Sequence, residues 1–445
     1  MYRFPEGFYT DVREETVHST MITIENGVLK ENKTKEEKGV IIRLYDGRKW
    51  FISSTTELDK VQEEIDSLAK MAVPCPEIGE DPVIKKYEVN RETRLCYGDC
   101  DVSKIPNDKK LAMAETYCEC LREYSQIQRW RMYYLDNHTQ KHIVSSKGCD
   151  VTFDTQNCCI AARYVLMKDD KPFYGSKDIY RIKFDELSGH EEILHDVVKE
   201  DIAYNENAVL VEPGDYTCIF APAVTGVFAH ESFGHKSESD FMVGDESMKK
   251  EWAIGTRVGA HLLNIVDTGL EEGSGYVPFD DEGTRAKKTY LIKEGILSGR
   301  LHSALTAAAL EEDLTGNARA ISFQFEPIVR MTATYVEPGD STKEELIAGV
   351  KKGIYILDYR HGSGMSTFTI APNKAYMIRD GKLAEPVKIS VVTGNVMSTL
   401  HEIDGLSKEF ELCSFALGGC GKMEQYPLRV GLGGPYMRVN HLTVQ

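Results

Sequence analysis

The sequence predicts an α+β fold in two parts. An N-terminal α/β domain is expected over residues 1–204, and a β-rich, barrel-like C-terminal domain over residues 205–445. In the first part, hairpin patterns alternate with amphipathic helices, whereas the second part is richer in glycine and in short apolar strands. The chain has 445 residues, more than a single hydrophobic core usually serves, so at least two domains are expected.

The N-terminal part begins with two predicted hairpins. Residues 19–33 alternate apolar and polar side chains around Asn26-Gly27, a strong turn signal. Residues 39–54 repeat this pattern with a turn at Asp46-Gly47. Residues 55–73 then have apolar positions at helical spacing and predict an amphipathic helix that follows a threonine cap.

Two further helices and a pair of strands complete the first part. The segment 107–127 predicts the second helix, and "SGHEEILHDVVKEDIAYN" at 188–205 predicts the third. Between them, residues 129–140 and 149–169 are typical of strands.

The C-terminal part is dominated by strands and turns. Hairpins are predicted with turns at Gly295 and Gly381, and a capped helix is predicted to begin at Ser341 or Thr342. Residues 418–444 predict strands joined by glycine-rich turns.

Charge and apolar patterning exclude several classes of protein. The formal net charge is -17, and such a surface repels nucleic acid and anionic lipid, so no direct nucleic-acid partner is expected. The first residues show no signal-peptide pattern, and the longest apolar stretch is interrupted by Pro222 and is too short for a membrane span. The eleven cysteines contain no C-x-x-C pair, which favours free thiols in a reducing compartment. The sequence therefore predicts a cytoplasmic protein without a membrane partner.

The stretch "AHESFGH", residues 229–235, differs from the zinc-protease signature H-E-x-x-H by one additional residue. It follows a strand, and Pro222 is a suitable first residue for the helix that contains it. On a regular α-helix, His230 and His235 would point about 140° apart, too far for one metal ion. A π-turn would bring them to the same side, and so would a helix that loosens at Gly234. The spacing is therefore compatible with metal binding only where the backbone is irregular.

A catalytic zinc usually has three protein ligands, so a third donor is needed. Cys420 in "GGCGK" is one candidate, because the glycines allow close approach of the backbone. Glu238 and Asp240 are alternatives, and four downstream histidines are further ones: His261, His302, His361 and His401. The second His-Glu pair, "HEEILH" at 190–195, is assigned to the solvated face of a helix. The residues alone leave the third ligand open.

Several blocks in the second half resemble the TldD/PmbA family, also known as the modulator-of-gyrase family, and specifically its TldD type. The blocks follow the family's order: "HESFGHKSESDF", "DDEGT", "TGNARA", "RMTATYVEPGD" and "GGCGKMEQ" with "VGLGGPYMRV". The resemblance implies a zinc metallopeptidase with His230, His235 and Cys420 as zinc ligands. It implies Glu231 as the catalytic glutamate, which activates the zinc-bound water.

The remaining predictions for the site depend on the same resemblance. Glu238, Asp240, Gly419 and Lys422 are expected to support the ligands or contact substrate. The expected substrate is a short or unfolded polypeptide, and the expected assembly is a homodimer or a heterodimer with a related subunit. The alternative function is a non-catalytic scaffold subunit with a structural zinc. The presence of all four zinc-site residues argues against this alternative.

Overall fold

The computed structural model describes residues 2–445. The α-helices are α1 Val61–Met71, α2 Pro82–Lys86, α3 Asn107–Arg122, α4 Glu191–Asn207, α5 Pro222–Ala229, α6 Glu246–Glu251, α7 Ala304–Leu310, α8 Lys343–Ala348 and α9 Val396–His401. The strands of the first half are β1 Tyr9–Glu25, β2 Val28–Tyr45, β3 Trp50–Thr55, β4 Arg91–Arg94, β5 Ile127–Ser145, β6 Asp150–Lys168 and β7 Lys171–Arg181.

The strands of the second half are shorter and more numerous. They are β8 Val209–Leu210, β9 Gly214–Phe220, β10 Ile265–Thr268, β11 Lys288–Lys293, β12 Ile296–Leu297, β13 Ala318–Arg319, β14 Ile328–Val329, β15 Ala333–Val336, β16 Lys352–Gly364, β17 Thr367–Arg379, β18 Lys382–Lys388, β19 Val392–Asn395, β20 Ile403–Cys413, β21 Cys420–Lys422, β22 Gln425–Leu428 and β23 Gly431–Val444.

Strands β1 to β7 form one sheet in the order β3-β2-β1-β5-β6-β4, with β7 paired to β6. The predicted hairpins are confirmed. Asn26 and Gly27 have φ values of 48° and 82°, as the two-residue turn between β1 and β2 requires. The helix predicted over 55–73 begins later than expected, at Val61, and no side chain caps it. The helices predicted near 107–127 and 188–205 are confirmed as α3 and α4.

The second half contains the predicted barrel. Strand β23 pairs with β9, β9 with β16, β16 with β17, β17 with β19, and β19 again with β23, so five strands close a ring. The hairpins at Gly295 and Gly381 are confirmed, and Thr342 caps α8 through a capping box. The fold is therefore α+β with a barrel-like second part, as predicted. The boundary at residue 204 stays a prediction, since α4 continues to Asn207.

Helix α5 packs directly against the barrel. A Cβ on Gly226 would lie 2.3 Å from the backbone nitrogen of Gly433 in β23, so the two backbones touch. Phe228 packs edge-on against Phe368 of β17, with ring centroids 5.0 Å apart. These two contacts fix helix α5, and the chain continues from its C-terminal end directly into the segment with the two histidines.

Buried charges join the first sheet to the second half. The guanidinium of Arg43 donates to Asp11 at 2.7 Å and to Glu282 at 3.3 Å, and the hydroxyl of Tyr87 donates to Glu282 at 3.1 Å. These side chains are almost fully buried. Each charge is therefore costly unless its partners stay in place.

Replacing Arg43 by methionine removes the cation that contacts both Asp11 and Glu282. We expect R43M to lower the free energy of unfolding by about 3–5 kcal/mol, because it leaves buried carboxylates without their partner. Urea denaturation of the purified protein measures this change. R379M is the control, since Arg379 pairs with Glu385 in an exposed ion pair, and its unfolding curve should match that of wild type. Equal curves for R43M and wild type would contradict the prediction.

Candidate metal centre

The additional residue between the two histidines is accommodated by a π-helical turn. Helix α5 begins at Pro222 and ends at Ala229, and His230–Gly234 then form the π-turn. A short 3₁₀ turn starts at His235. As a result the imidazole rings of His230 and His235 face one another, with centroids 5.0 Å apart. Of the two local structures that the spacing allowed, the chain adopts the π-turn.

Gly234 is needed for packing rather than for an unusual backbone angle. Its φ is -56°, an ordinary helical value, so the alternative of a helix that loosens at this glycine is not the one adopted. A Cβ at this position would lie 2.1 Å from Sδ of Met331. Because only glycine avoids that clash, Met331 can pack directly against the turn.

Cys420 is the third member of the cluster. It opens β21, and its Sγ lies 3.5 Å from Nε2 of His235. One donor atom from each of His230, His235 and Cys420 can be chosen so that all lie within 4.8 Å of one another. Gly419 before it has a φ of 153°, and a Cβ there would lie 2.5 Å from the carbonyl oxygen of Leu428. Gly419, which the sequence predicted to support the site, thus allows the β21–β22 hairpin to fold tightly, and the thiol of Cys420 then faces the two histidines.

Burial and polar contacts prepare these donors. By itself, burial would raise the pKa of the Cys420 thiol, but hydrogen bonds with the two histidines outweigh it and lower the pKa to about 5. Burial also opposes charge on His235, yet hydrogen bonds with Cys420 and Glu238 raise its pKa to about 10. Without metal, the pair is therefore a thiolate beside an imidazolium. The Nδ1 atom of His230 is buried without a hydrogen-bond partner among the described residues. Two imidazoles and a thiol are a set of donors that suits a zinc ion.

The acidic pair after the histidines lies behind the ligands. Oε2 of Glu238 is 3.1 Å from Nδ1 of His235, the arrangement that orients a metal-binding imidazole. The ammonium of Lys422 lies 3.2 Å from the same carboxylate and 2.7 Å from both oxygens of Asp240. Burial raises the pKa of Glu238, but the hydrogen bond from His235 and the charge of Lys422 outweigh it, so its pKa is lowered. For Asp240 burial prevails and the pKa is raised.

Glu231 lies on the side of the π-turn that faces the β16–β17 hairpin. It is half-buried and forms no ion pair within residues 2–445. A Cβ on Gly362 would lie 3.5 Å from its Cγ, and one on Gly364 would lie 2.8 Å from its carbonyl oxygen. These two glycines of β16 therefore let the strand pass directly over the glutamate.

Comparison with known proteins identifies the family. The description "PmbA/TldA metallopeptidase C-terminal domain" matches residues 213–445, and "PmbA/TldA metallopeptidase domain 1" matches residues 10–73. A metalloprotease of Methanocaldococcus jannaschii is 30% identical over 440 residues, which cover 97% of this chain and 96% of that protein. This chain belongs to the PmbA/TldD metallopeptidase family.

Two further similarities refine this placement. The zinc metalloprotease TldD homolog of Saccharolobus solfataricus is 26% identical over 452 residues, 98% of this chain and 96% of its own length. The structure of TldE from Thermococcus kodakarensis superposes with a TM-score of 0.73 at 16% identity, covering 98% of this chain and 96% of that one. The family assignment makes the chain an enzyme of the metallopeptidase class, and the fold is that of its relatives.

The other predicted donors lie outside the cluster. Among residues 2–445, the group with metal-ligand geometry contains His230, His235 and Cys420, and none of the four downstream histidines. Nδ1 of His195, in the second His-Glu pair, lies 2.9 Å from the hydroxyl of Tyr124. That pair is therefore held within the N-terminal part rather than fully solvated.

None of the helices among the described residues has the length and apolar character that a membrane crossing requires.

Sequence reasoning missed the residues that support the site from a distance. Arg330 is fully buried and donates to the carbonyl oxygen of Cys420 at 2.8 Å. Met331, beside it, fills the space over Gly234. Both belong to the block "RMTATYVEPGD", where the signal in the sequence is an arginine placed directly between apolar residues.

In the metal-free PmbA/TldD protein, Cys420 should behave as an acidic thiol. We expect its alkylation by iodoacetamide to rise with pH with a midpoint near 5, because the lowered pKa makes the thiolate present above that pH. Mass spectrometry of the peptide that contains Cys420, after removal of metal by a chelator, measures the rate. In H235A the midpoint should move upward toward the ordinary value of about 8.5. A wild-type midpoint near that ordinary value would contradict the prediction.

Proposed function

We propose that this chain is a zinc-dependent peptidase that hydrolyses short or unfolded polypeptides. Its zinc ligands are His230, His235 and Cys420, and Glu231 is the general base. One observation carries the proposal: three donors of the types that zinc prefers lie within 4.8 Å of one another, and a free carboxylate lies one residue from the first of them.

The number of donors favours a catalytic zinc over a structural one. A structural zinc is usually held by four protein ligands, whereas a catalytic zinc has three and an open position. Among residues 2–445 the cluster has three members, and the Glu238 carboxylate is occupied by a hydrogen bond with the far nitrogen of His235. A scaffold subunit with a structural zinc is therefore the weaker alternative.

The side chains around the cluster have different roles in the proposed hydrolysis. Zinc, when bound, polarises the scissile carbonyl group and makes a water molecule more acidic. Glu231 takes the proton from the attacking water and passes it to the leaving amine. Glu238 keeps Nε2 of His235 directed at the cluster, and Lys422 holds Glu238 and Asp240 in place.

The substrate is proposed to bind as an extended strand. Strand β16 pairs with β9 only at Gly353–Ile356, while its pairing with β17 extends to Gly364. Residues 357–364 thus have a strand partner on one side, and their glycines lie against Glu231. An extended peptide can pair with such a backbone edge with little demand on its side chains, whereas a folded domain cannot enter.

The assembly and location are proposed from the family and the charge. A homodimer, or a heterodimer with a related subunit such as a TldE-like chain, would enclose the site. A cytoplasmic location fits the free cysteines and the negative surface, which also disfavours nucleic acid.

Replacing Cys420 by alanine should remove one of three zinc ligands. We expect wild type to bind about one zinc ion per chain and C420A to lose most of it, because two imidazoles alone form an incomplete site. Atomic absorption on protein purified in the presence of zinc measures the ratio. C118A is the matched control, since Cys118 is equally buried but lies in α3. Full zinc occupancy in C420A would show that the third ligand is another residue.

Replacing Glu231 by glutamine should separate zinc binding from catalysis. We expect E231Q to keep its zinc and to lose activity about 10²–10⁴-fold, the usual contribution of general acid-base catalysis. The assay offers one protein in its folded form and in a reduced, alkylated form that cannot fold, and wild type should cleave only the latter.

The control for this variant is E191Q, which changes the glutamate of the second His-Glu pair. It should be as active as wild type. An E231Q enzyme with wild-type activity would disprove the role of Glu231, and equal cleavage of folded and unfolded substrate would disprove the strand-binding substrate.

A further inference from the structure

Three polar side chains form a connected series behind the metal centre, and the last of them, Glu312, is partly exposed. The hydroxyl of Ser239 lies 3.0 Å from Nδ1 of His302, and Nε2 of His302 lies 2.9 Å from Oε2 of Glu312. Ser239 and His302 are 0% and 1% exposed. A serine hydrolase uses similar residue types, but its serine must reach substrate, and the Ser239 hydroxyl is sealed inside the protein. This chain of side chains therefore has a different role.

One end of the chain lies in the segment that orients the ligands. Ser239 stands between Glu238, which contacts His235, and Asp240, which contacts Lys422. The backbone of this segment is also tied down next to His302: the amide of Ser239 donates to the carbonyl of Leu301 at 3.1 Å, and the amide of Leu301 donates to Ser237 at 2.8 Å. The segment 237–240 is thus held by the residues that precede and include His302.

The other end reaches the N-terminal part of the chain. The carboxylate of Glu312 is paired with Arg300 as well as with His302. The carbonyl oxygen of Glu312 accepts a hydrogen bond from Nζ of Lys86, at the end of α2, at 2.5 Å. The contact of Lys86 with Glu312 joins the N-terminal part to the second half. Glu312 is in turn linked through His302 to Ser239, in the segment behind the metal ligands.

We propose that His302 is a positioning residue for the metal centre. Its Nδ1 atom contacts the Ser239 hydroxyl and its Nε2 atom contacts the Glu312 carboxylate, so the ring links these two side chains. It thereby keeps Glu238 aligned with His235 and Asp240 aligned with Lys422. The inference rests on the proposed zinc function of His230, His235 and Cys420. Residues behind a metal ligand affect affinity because they fix the ligand's orientation.

The test compares S239A, H302L and H302N for zinc affinity, measured by competition with a fluorescent chelator. We expect S239A and H302L each to weaken zinc binding by about 10-fold, the lower end of what outer residues contribute. The double variant should lose little more, because both changes break the same connection. H302N keeps a polar atom near the position of Nδ1 and should recover most of the affinity.

A control separates positioning from general stability. Y204F removes a buried hydroxyl of α4 that donates to the carbonyl of Val387 in β18 at 2.6 Å, and neither residue belongs to the metal cluster or to the residues that support it. It should lower the melting temperature to an extent similar to S239A but leave zinc affinity unchanged. Wild-type zinc affinity in S239A and H302L would overturn the proposal.

Hydrogen exchange separates failure of this inference from failure of the proposed function. In the metal-free protein, the amides of residues 237–242 should exchange faster in S239A and H302L than in wild type. If wild type binds no zinc, the proposed function is wrong, yet faster exchange in the variants would still support the positioning role. Equal exchange in wild type and variants would overturn that role.

Discussion

The metal centre depends on one irregularity of the backbone, the π-turn at His230–Gly234. A regular helix would place the two histidines about 140° apart, whereas the π-turn places them face to face. Three close contacts hold this turn. Gly226 allows β23 to approach the helix, Gly234 admits Met331, and Gly364 passes over Glu231. A side chain at any of these glycines would push a neighbouring element away from the turn.

Buried charges next to the metal centre affect the ionisation of its side chains. The chain carries a net charge of -17, yet the buried cations Arg330 and Lys422 support the residues of the cluster. Arg330 donates to the carbonyl of Cys420, and Lys422 bridges Glu238 and Asp240. These cations offset the cost of burying carboxylates beside a thiolate. The ionised sulfur itself depends on the two histidines, whose hydrogen bonds lower the pKa of the Cys420 thiol.

The sequence could predict those structures that depend on residues close together in the chain. Asn26-Gly27 determined a hairpin, and the five-residue spacing of His230 and His235 reduced the local structure to two possibilities. It could not choose between them, because the residues that pack against the turn, such as Met331 on Gly234, are neighbours in space only. Arg330 lies 90 residues from Cys420, and His302 lies 63 from Ser239. Such partners are fixed by the packing of β-strands that are distant in sequence, and no local periodicity encodes that packing.

The dependence on distant partners extends across both halves of the molecule. Glu282, which Arg43 of the first sheet holds in place, accepts a hydrogen bond at 2.8 Å from the amide of Ala304, the first residue of α7. Ala304 follows His302 by two residues, and the carbonyl of Glu312 beyond α7 is held by Lys86. The N-terminal part thus fixes both ends of the helix that lies behind the metal-site segment. Although the second half supplies every donor atom of the cluster, the order of that cluster is a property of the whole chain.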